Sequence, residues 1–247
     1  MTTDPPPHRD RGIVIIPAYN EADSIAAVVD ELAAHAPDLD VVVIDDGSTD
    51  GTAGRVPPSA VVLRLPFNVG IGGAMQTGYR YAARHGYDLA VQVDGDGQHR
   101  PDQIAVLRDR LAQGDVDVVI GSRFLEPGDY TQTVARAAGA QLLGLLLRTL
   151  TGQRFTDCTS GFRAVRGPVI EAFAHWYPDD YPEPEAVLLL HRAKFRVTEV
   201  AVAMRPRTAG DSSISFRQGL FYVIKVAAAL LVDTLRMPWP QRREVSP

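Results

Sequence analysis

Three short, largely apolar runs end in polar or acidic clusters, and this pattern constrains the fold of the chain more than any other. Gly12–Pro17 (GIVIIP) runs into Ala18-Tyr19-Asn20-Glu21, Asp40–Asp45 (DVVVID) closes on Asp45-Asp46, and Asp88–Val93 leads to Asp94-Gly95-Asp96. Continuous apolar runs of this length are strands buried on both faces, as in a parallel sheet covered by helices. Ala60–Leu65 and Val116–Gly121 read as further strands. Between the strands lie helical spacings at Ala22–Ala36, at Ile71–His85 with Asn68 as a cap, and at Pro101–Gln113, where a leading proline does no harm. The order β-α-β-β-α-β-α-β predicts an α/β fold, a mostly parallel sheet with helices on both faces. After Ser122 the pattern loosens into a helix (Thr133–Leu150), a strand (Gly161–Val165), a helix (Pro184–Phe195), a strand (Val197–Ala203), a polar loop (Arg205–Ser213) and a helix (Phe216–Leu235). Residues 1–11 read as a disordered leader, 12–214 as one domain, 215–237 as an amphipathic helix and 238–247 as a tail.

Composition narrows the function classes. The chain has 247 residues, enough to bury a substantial core, and its 30 acidic against 25 basic residues argue against a bulk nucleic-acid surface. A single cysteine, Cys158, cannot form an internal disulfide, which points to a reducing compartment. The polar, proline-rich N-terminus does not read as a signal peptide. The most apolar stretch, Gly219–Val232, is interrupted by Lys225 and falls short of the roughly 20 apolar residues a spanning helix needs. The expectation is a protein that is soluble or lies on a surface.

Open parallel sheets bind ligands at the carboxyl ends of their strands, so the two acidic pairs are expected at one crevice. Asp94-Gly95-Asp96-Gly97-Gln98-His99 forms a tight, oxygen-rich turn suited to Mg²⁺ or Mn²⁺, with Gln98 and His99 completing or supporting the shell. The alternative is a solvated Asp-Gly turn. Asp45-Asp46-Gly47-Ser48 reads either as an acceptor for ribose or nucleobase hydrogen bonds or as a helix cap or Asx-turn. Gly70, Gly72, Gly73 and Gly78 miss the dinucleotide fingerprint, because the sixth position is Met75 and no strand directly precedes them. Phosphate approach and helix packing both remain open for them.

Taken in order, IIPAYNE (Ile15–Glu21), VVVIDDGSTDGT (Val41–Thr52), NVGIGGAMQTGY (Asn68–Tyr79), VDGDGQHRPD (Val93–Asp102), GSRF (Gly121–Phe124), DCTSGFRA (Asp157–Ala164) and YPEPE (Tyr181–Glu185) resemble the family 2 glycosyltransferases. The resemblance is to the dolichol- or polyprenyl-phosphate mannosyltransferase-like branch, over Gly12–Ile214. It implies a GT-A fold, a GDP- or UDP-sugar donor, a divalent cation (Mg²⁺ or Mn²⁺) and inversion at the anomeric carbon. Carried over, Pro17, Tyr19 and Glu21 line the nucleotide, with Asp45 or Asp46 at the base or ribose. Asp94, Asp96 and Gln98 hold the metal on the donor diphosphate, and Arg207 reaches the donor phosphates. Arg123, Arg136 and Ser160 lie near the acceptor phosphate. One departure stands out: where the family's late loop often ends Gly-Glu-Ser-Lys, this chain has Gly210-Asp211-Ser212-Ser213, which removes a cationic phosphate contact.

The acceptor decides whether a base is needed. A sugar hydroxyl requires a carboxylate to take its proton, for which Glu183 and Glu185 are the candidates. A phosphate monoester, with a second pKa near ~6, is already largely ionised and needs cations to place it, such as Arg123 and Arg136. The expectation is an inverting, metal-dependent hexosyltransferase acting on a polyprenyl phosphate, with Asp96, Arg123 and Glu185 as its catalytic candidates. The alternatives are transfer to a hydroxyl of a saccharide or small molecule and, in another class, a non-catalytic nucleotide-sugar-binding module. The apolar spacing Phe216, Leu220, Val223, Ile224, Ala227, Leu230, Leu231 and Leu235 suits either a membrane interface or packing on protein. A peripheral location on the cytoplasmic face of the membrane follows as an expectation, with no nucleic-acid partner and with homo-oligomerisation open.

Overall fold

The computed structural model describes residues 11–126, 134–179, 182–205, 225–232 and 234, with residues 134–138 described for their backbone alone. In chain order the elements are β1 (Gly12–Ala18), α1 (Ile25–His35), β2 (Asp40–Asp45), α2 (Thr52–Arg55), β3 (Val61–Arg64), α3 (Gly70–Arg84) and β4 (Leu89–Gln92). A 3₁₀ turn at Pro101–Gln103 leads into α4 (Ile104–Ala112). Then come β5 (Val118–Ser122), α5 (Val134–Thr151), β6 (Arg163–Arg166), α6 (Gly167–His175), α7 (Pro182–Arg192) and β7 (Val197–Ala201). Seven strands form one sheet in the order β3-β2-β1-β4-β6-β5-β7. The first four are mutually parallel, β7 is parallel to β5, and β6 runs antiparallel to both its neighbours.

Strand alternation divides the core between the two faces. Ile13 and Ile15 of β1, Val42 and Ile44 of β2 and Val118 and Ile120 of β5 face one layer with α3, α5, α6 and α7. Val14 and Ile16, Val41 and Val43, and Val119 face the other, with α1 and α4. The central runs are almost wholly apolar because both faces are covered, with Gln92 of β4 a buried polar exception. The α/β class and the layered sheet are therefore as expected.

Two features depart from the sequence reading. The strand near Gly161–Val165 is present but antiparallel, and α6 follows it directly. Gly167-Pro168 looks like a helix breaker, yet proline sits in the first turn of α6, where its missing N–H costs nothing. The direction of β6 matters for function. In the antiparallel register Gln92 at the end of β4 pairs with Arg163 at the start of β6. The loop before β6 thus arrives at the same sheet edge as Asp94, whereas a parallel strand would have left it at the opposite edge. Towards the C-terminus residues 225–232 are helical, and Val226 and Leu230 are fully buried in the α3–α5–α7 layer while Leu231 and Val232 are exposed. The rest of the expected Phe216–Leu235 helix, the Arg205–Ser213 loop beyond Arg205, the first ten residues and the tail lie outside the described residues.

Candidate active site

At the carboxyl edge, the loops after β1 and β2 are joined by short polar side chains. Asn20 N–H donates to Ser48 Oγ (2.9 Å), Glu21 N–H to Thr52 Oγ1 (2.9 Å) and Ala22 N–H to an Asp50 carboxylate oxygen (3.0 Å), while Thr49 N–H donates to Asn20 Oδ1 (2.9 Å). Asn20 takes a left-handed φ of 56°, a conformation asparagine tolerates better than most residues. Asp46 accepts the Val69 and Gly70 N–H groups at 2.7 and 3.0 Å, fastening the start of α3, where backbone donors lack helical partners. Asp45 is fully buried, accepts the Ser48 N–H at 3.0 Å and lies 3.3 Å from Arg64 Nε. Its carboxylate is therefore behind the loop and Asp46 is at the cleft. Of the α3 glycines, Gly72 is a packing requirement: a side chain there would overlap the carbonyl oxygens of Pro178 and Asp179.

The Asp94–His99 turn is held from several sides. Ser24 Oγ donates to Gly95 O at 2.6 Å, and Gln98 N–H donates to Asp96 Oδ1 at 3.0 Å. Asp94 N–H donates to Nδ1 of the buried His99 at 3.0 Å, so the ring carries its proton on Nε2, which lies 3.5 Å from Asp94 Oδ2. His99 also stacks on Phe162 with centroids 4.9 Å apart. Met204 bridges to His99, and Arg205 N–H donates to Gln98 O at 2.9 Å, so the segment after β7 runs along this turn.

The other wall comes from the segments around β5, β6 and α7. Arg123, just past β5, grips the buried Asp157 through Nε (2.7 Å) and Nη2 (2.8 Å), and its own N–H donates to the same carboxylate. Glu199 on β7 accepts the Thr156 and Asp157 N–H groups, both at 2.7 Å. Ser160 is buried just before Gly161, whose missing Cβ would sit 3.3 Å from Asp94 Oδ1. Glu183 reaches the cleft from the first turn of α7, and its carboxyl is pushed above the ordinary range by burial, with Arg163 opposing. Glu185, two residues further on in the same turn, is buried and lines no part of the cleft.

These walls enclose a cleft of about 370 Å³. Pro17, Tyr19, Glu21, Asp46, Asp94, Asp96 and Glu183 all line it, so the structure brings together most of the donor-side and metal candidates. Arg123, Ser160, Gln98 and Glu185 are not part of its lining, the side chain of Arg136 and all of Arg207 lie outside the described residues, and Asp45 stands behind it. Among the described residues the lining carries five carboxylates and no Lys or Arg. Such a surface repels a diphosphate unless a cation intervenes. Asp94 and Asp96 form a hard-oxygen pair without a third described His, Cys, Asp or Glu to close a cage, which fits an ion shared with phosphate oxygens. Asp157, Glu199, Asp50 and Thr52 were not singled out from the sequence. All but Glu199 lie inside the recognisable motifs, which was the available signal.

A layered α/β sheet with an acid-lined cleft at its carboxyl edge is compatible with a GT-A glycosyltransferase fold, and the solved structures it resembles carry that fold. Glucosyl-3-phosphoglycerate synthase from Mycobacterium tuberculosis, crystallised with Mn²⁺, UDP-glucose and phosphoglyceric acid, matches with a TM-score of 0.67 at 23% identity, covering 93% of this chain and 81% of that one. Mannosyl-3-phosphoglycerate synthase from Rubrobacter xylanophilus matches with a TM-score of 0.64 at 19% identity, covering 96% and 78%. At these identities the likeness is one of fold. Residues 13–173 match the Glycosyl transferase family 2 model, and the chain belongs to that family. It is 32% identical over 220 residues to undecaprenyl-phosphate mannosyltransferase from Micrococcus luteus, covering 83% of this chain and 88% of that protein. It is 30% identical over 227 residues to polyprenol monophosphomannose synthase from Mycolicibacterium smegmatis, covering 86% and 85%. The chain is thus a hexosyltransferase of the polyprenyl-phosphate mannosyltransferase-like branch.

Proposed function

We propose that this enzyme moves a hexose from a GDP- or UDP-sugar to a polyprenyl phosphate, with inversion and with a divalent cation bound at Asp94 and Asp96. The observation that carries the reading is the cleft lining: five carboxylates with no described Lys or Arg suit a diphosphate only when it arrives with a metal. The activities named for the Micrococcus and Mycolicibacterium relatives supply the acceptor class. Pro17 and Tyr19 give the nucleotide an apolar wall, and Glu21 and Asp46 give it polar edges. When bound, the cation supplies Lewis-acid stabilisation of the departing diphosphate. His99 keeps Asp94 aimed at that position. Arg123, held rigid by its ion pair with Asp157, is the guanidinium that would hydrogen-bond an acceptor needing placement more than deprotonation. No helix among the described residues is long and apolar enough to cross a membrane. Exposed Leu142 and Leu145 on α5, with Leu231 and Val232, provide apolar contact for a peripheral position at the cytoplasmic surface holding the acceptor.

The test is transfer by the purified chain from a panel of GDP- and UDP-sugars to polyprenyl phosphate with Mn²⁺ or Mg²⁺. Glycolipid formation supports the reading, and its absence with every donor overturns it. One observation favours a second reading, transfer to a hydroxyl: Glu183 lines the cleft with its affinity for a proton raised, as suits a general base. Under that reading Glu183→Gln lowers turnover by about 100-fold or more, while under the phosphate reading turnover stays within about tenfold of wild type.

A further inference from the structure

Beneath the cleft lies a charged residue that the proposed chemistry does not use. Arg163 opens β6 and is 1% exposed. Its Nε–H donates to Ser160 O at 2.8 Å, and its Nη2 donates to Cys158 O at 3.3 Å and Glu183 O at 2.9 Å. Its Nη1 meets no protein acceptor, and neither side-chain polar atom of its cross-strand partner Gln92, also 1% exposed, has a hydrogen-bond partner. The turn at Gly161 lies directly on that amide, with its Cβ position 2.7 Å from Gln92 Nε2 and 3.3 Å from Asp94 Oδ1. Titratable groups near Arg163 include Glu183 of α7, Tyr79 of α3, Tyr177 and Cys158. None of them is within ion-pair distance of it. A buried guanidinium without a close carboxylate is a costly choice where an apolar side chain would pack. What it gains is a planar fork that a single-headed donor cannot reproduce, spanning two segments far apart in sequence, the turn before β6 and the first turn of α7.

We propose that Arg163 is the positioning residue of the acceptor side, tying the Ser160–Gly161 turn to the start of α7 so that Ser160 and Glu183 are fixed on either side of Asp94. Identifying this as the acceptor side rests on the function proposed above. Arg163 acts through the backbone it holds and touches neither substrate.

The test uses Arg163→Lys and Arg163→Gln in the full chain. Lysine keeps the buried charge and loses the fork. In Arg163→Lys the KM for polyprenyl phosphate is expected to rise about tenfold, with the donor KM within about threefold of wild type. Amide exchange should accelerate about tenfold in peptides covering residues 156–161 and 182–186 and stay unchanged over residues 46–52. Equal rises in both KM values, or unchanged exchange in the two tied segments, overturn the proposal. If Arg163→Gln fails to fold, Arg163→Lys alone decides. If the wild-type chain transfers nothing to polyprenyl phosphate, the proposed function fails but the positioning claim is still decided. Local loss of protection with unchanged calorimetric affinity for UDP or GDP and Mn²⁺ then supports it, and uniform or absent loss contradicts it.

Discussion

The two walls of the cleft are built by different means. The wall proposed to take the donor rests on parallel strands β1, β2 and β4, whose loops leave the sheet side by side. Neighbouring loops can then be joined by the shortest polar residues: Ser48, Asp50 and Thr52 each hold a backbone N–H of residues 20–22. The opposite wall is assembled around an antiparallel strand from segments distant in sequence, and it is held by long or buried charged groups. Arg123 reaches Asp157, Glu199 anchors residues 156–157, and Arg163 spans to α7. Regular topology lets many weak local bonds fix a loop, while an irregular one concentrates the same task in a few buried charges. Substitutions should therefore do graded damage on the first wall and abrupt damage on the second.

The largest effect is expected at the point the walls share. Asp94→Asn should lower transfer by about 100-fold or more with the melting temperature nearly unchanged, because it weakens the proposed hold on the cation that would stabilise the departing diphosphate. Steady-state rates and thermal denaturation on the same sample check this. Next, Asp157→Ala strands Arg123 against a half-emptied network, and denaturant unfolding should register a loss of about 3–5 kcal/mol. On the donor wall, Asp46→Ala leaves the Val69 and Gly70 N–H groups without their charged acceptor, at about 2 kcal/mol by the same method. Thr52→Val removes the acceptor for Glu21 N–H and should cost about 1 kcal/mol. The same change affects acid stability. The Thr52 hydroxyl, followed by the Ala22 N–H, holds the Asp50 carboxyl below its ordinary value. A depressed carboxylate contributes stability above its unfolded pKa and loses it as pH falls through the folded one. Thr52→Val should therefore flatten the decline in stability below the ordinary carboxylate range, as a pH series of melts would reveal.

Much of the first wall was legible in the sequence because its strands are almost wholly apolar and lead into polar or acidic clusters. Asp40–Asp45 is a strand with the expected bounds, and Asp94 and Asp96 fall at the mouth as a parallel sheet requires. The division of labour between Asp45 and Asp46 was not legible, because adjacent acids at a strand end point in opposite directions and only the placement of α3 and Arg64 tells them apart. The second wall was harder to read. Nothing local distinguishes an antiparallel four-residue strand from a parallel one, so the direction of β6 could not be inferred, nor its consequence that Gly161 meets Asp94. The link from Arg123 to Asp157 joins residues 34 apart in the chain, a spacing with no periodic signature. The choice between Glu183 and Glu185 turns on where α7 begins, and helix starts are the least defined feature of a sequence pattern.

The division into a donor wall and an acceptor wall is tested most directly by comparing the two KM values of Tyr19→Ala and Arg123→Lys in polyprenyl phosphate glycosylation. Tyr19 is a cleft residue 48% exposed, and Arg123→Lys keeps the charge while giving up the fork on Asp157. The expected result is a raised donor KM with an unchanged acceptor KM for Tyr19→Ala, and the reverse for Arg123→Lys. If both substitutions raise the same KM, the two-wall account is wrong.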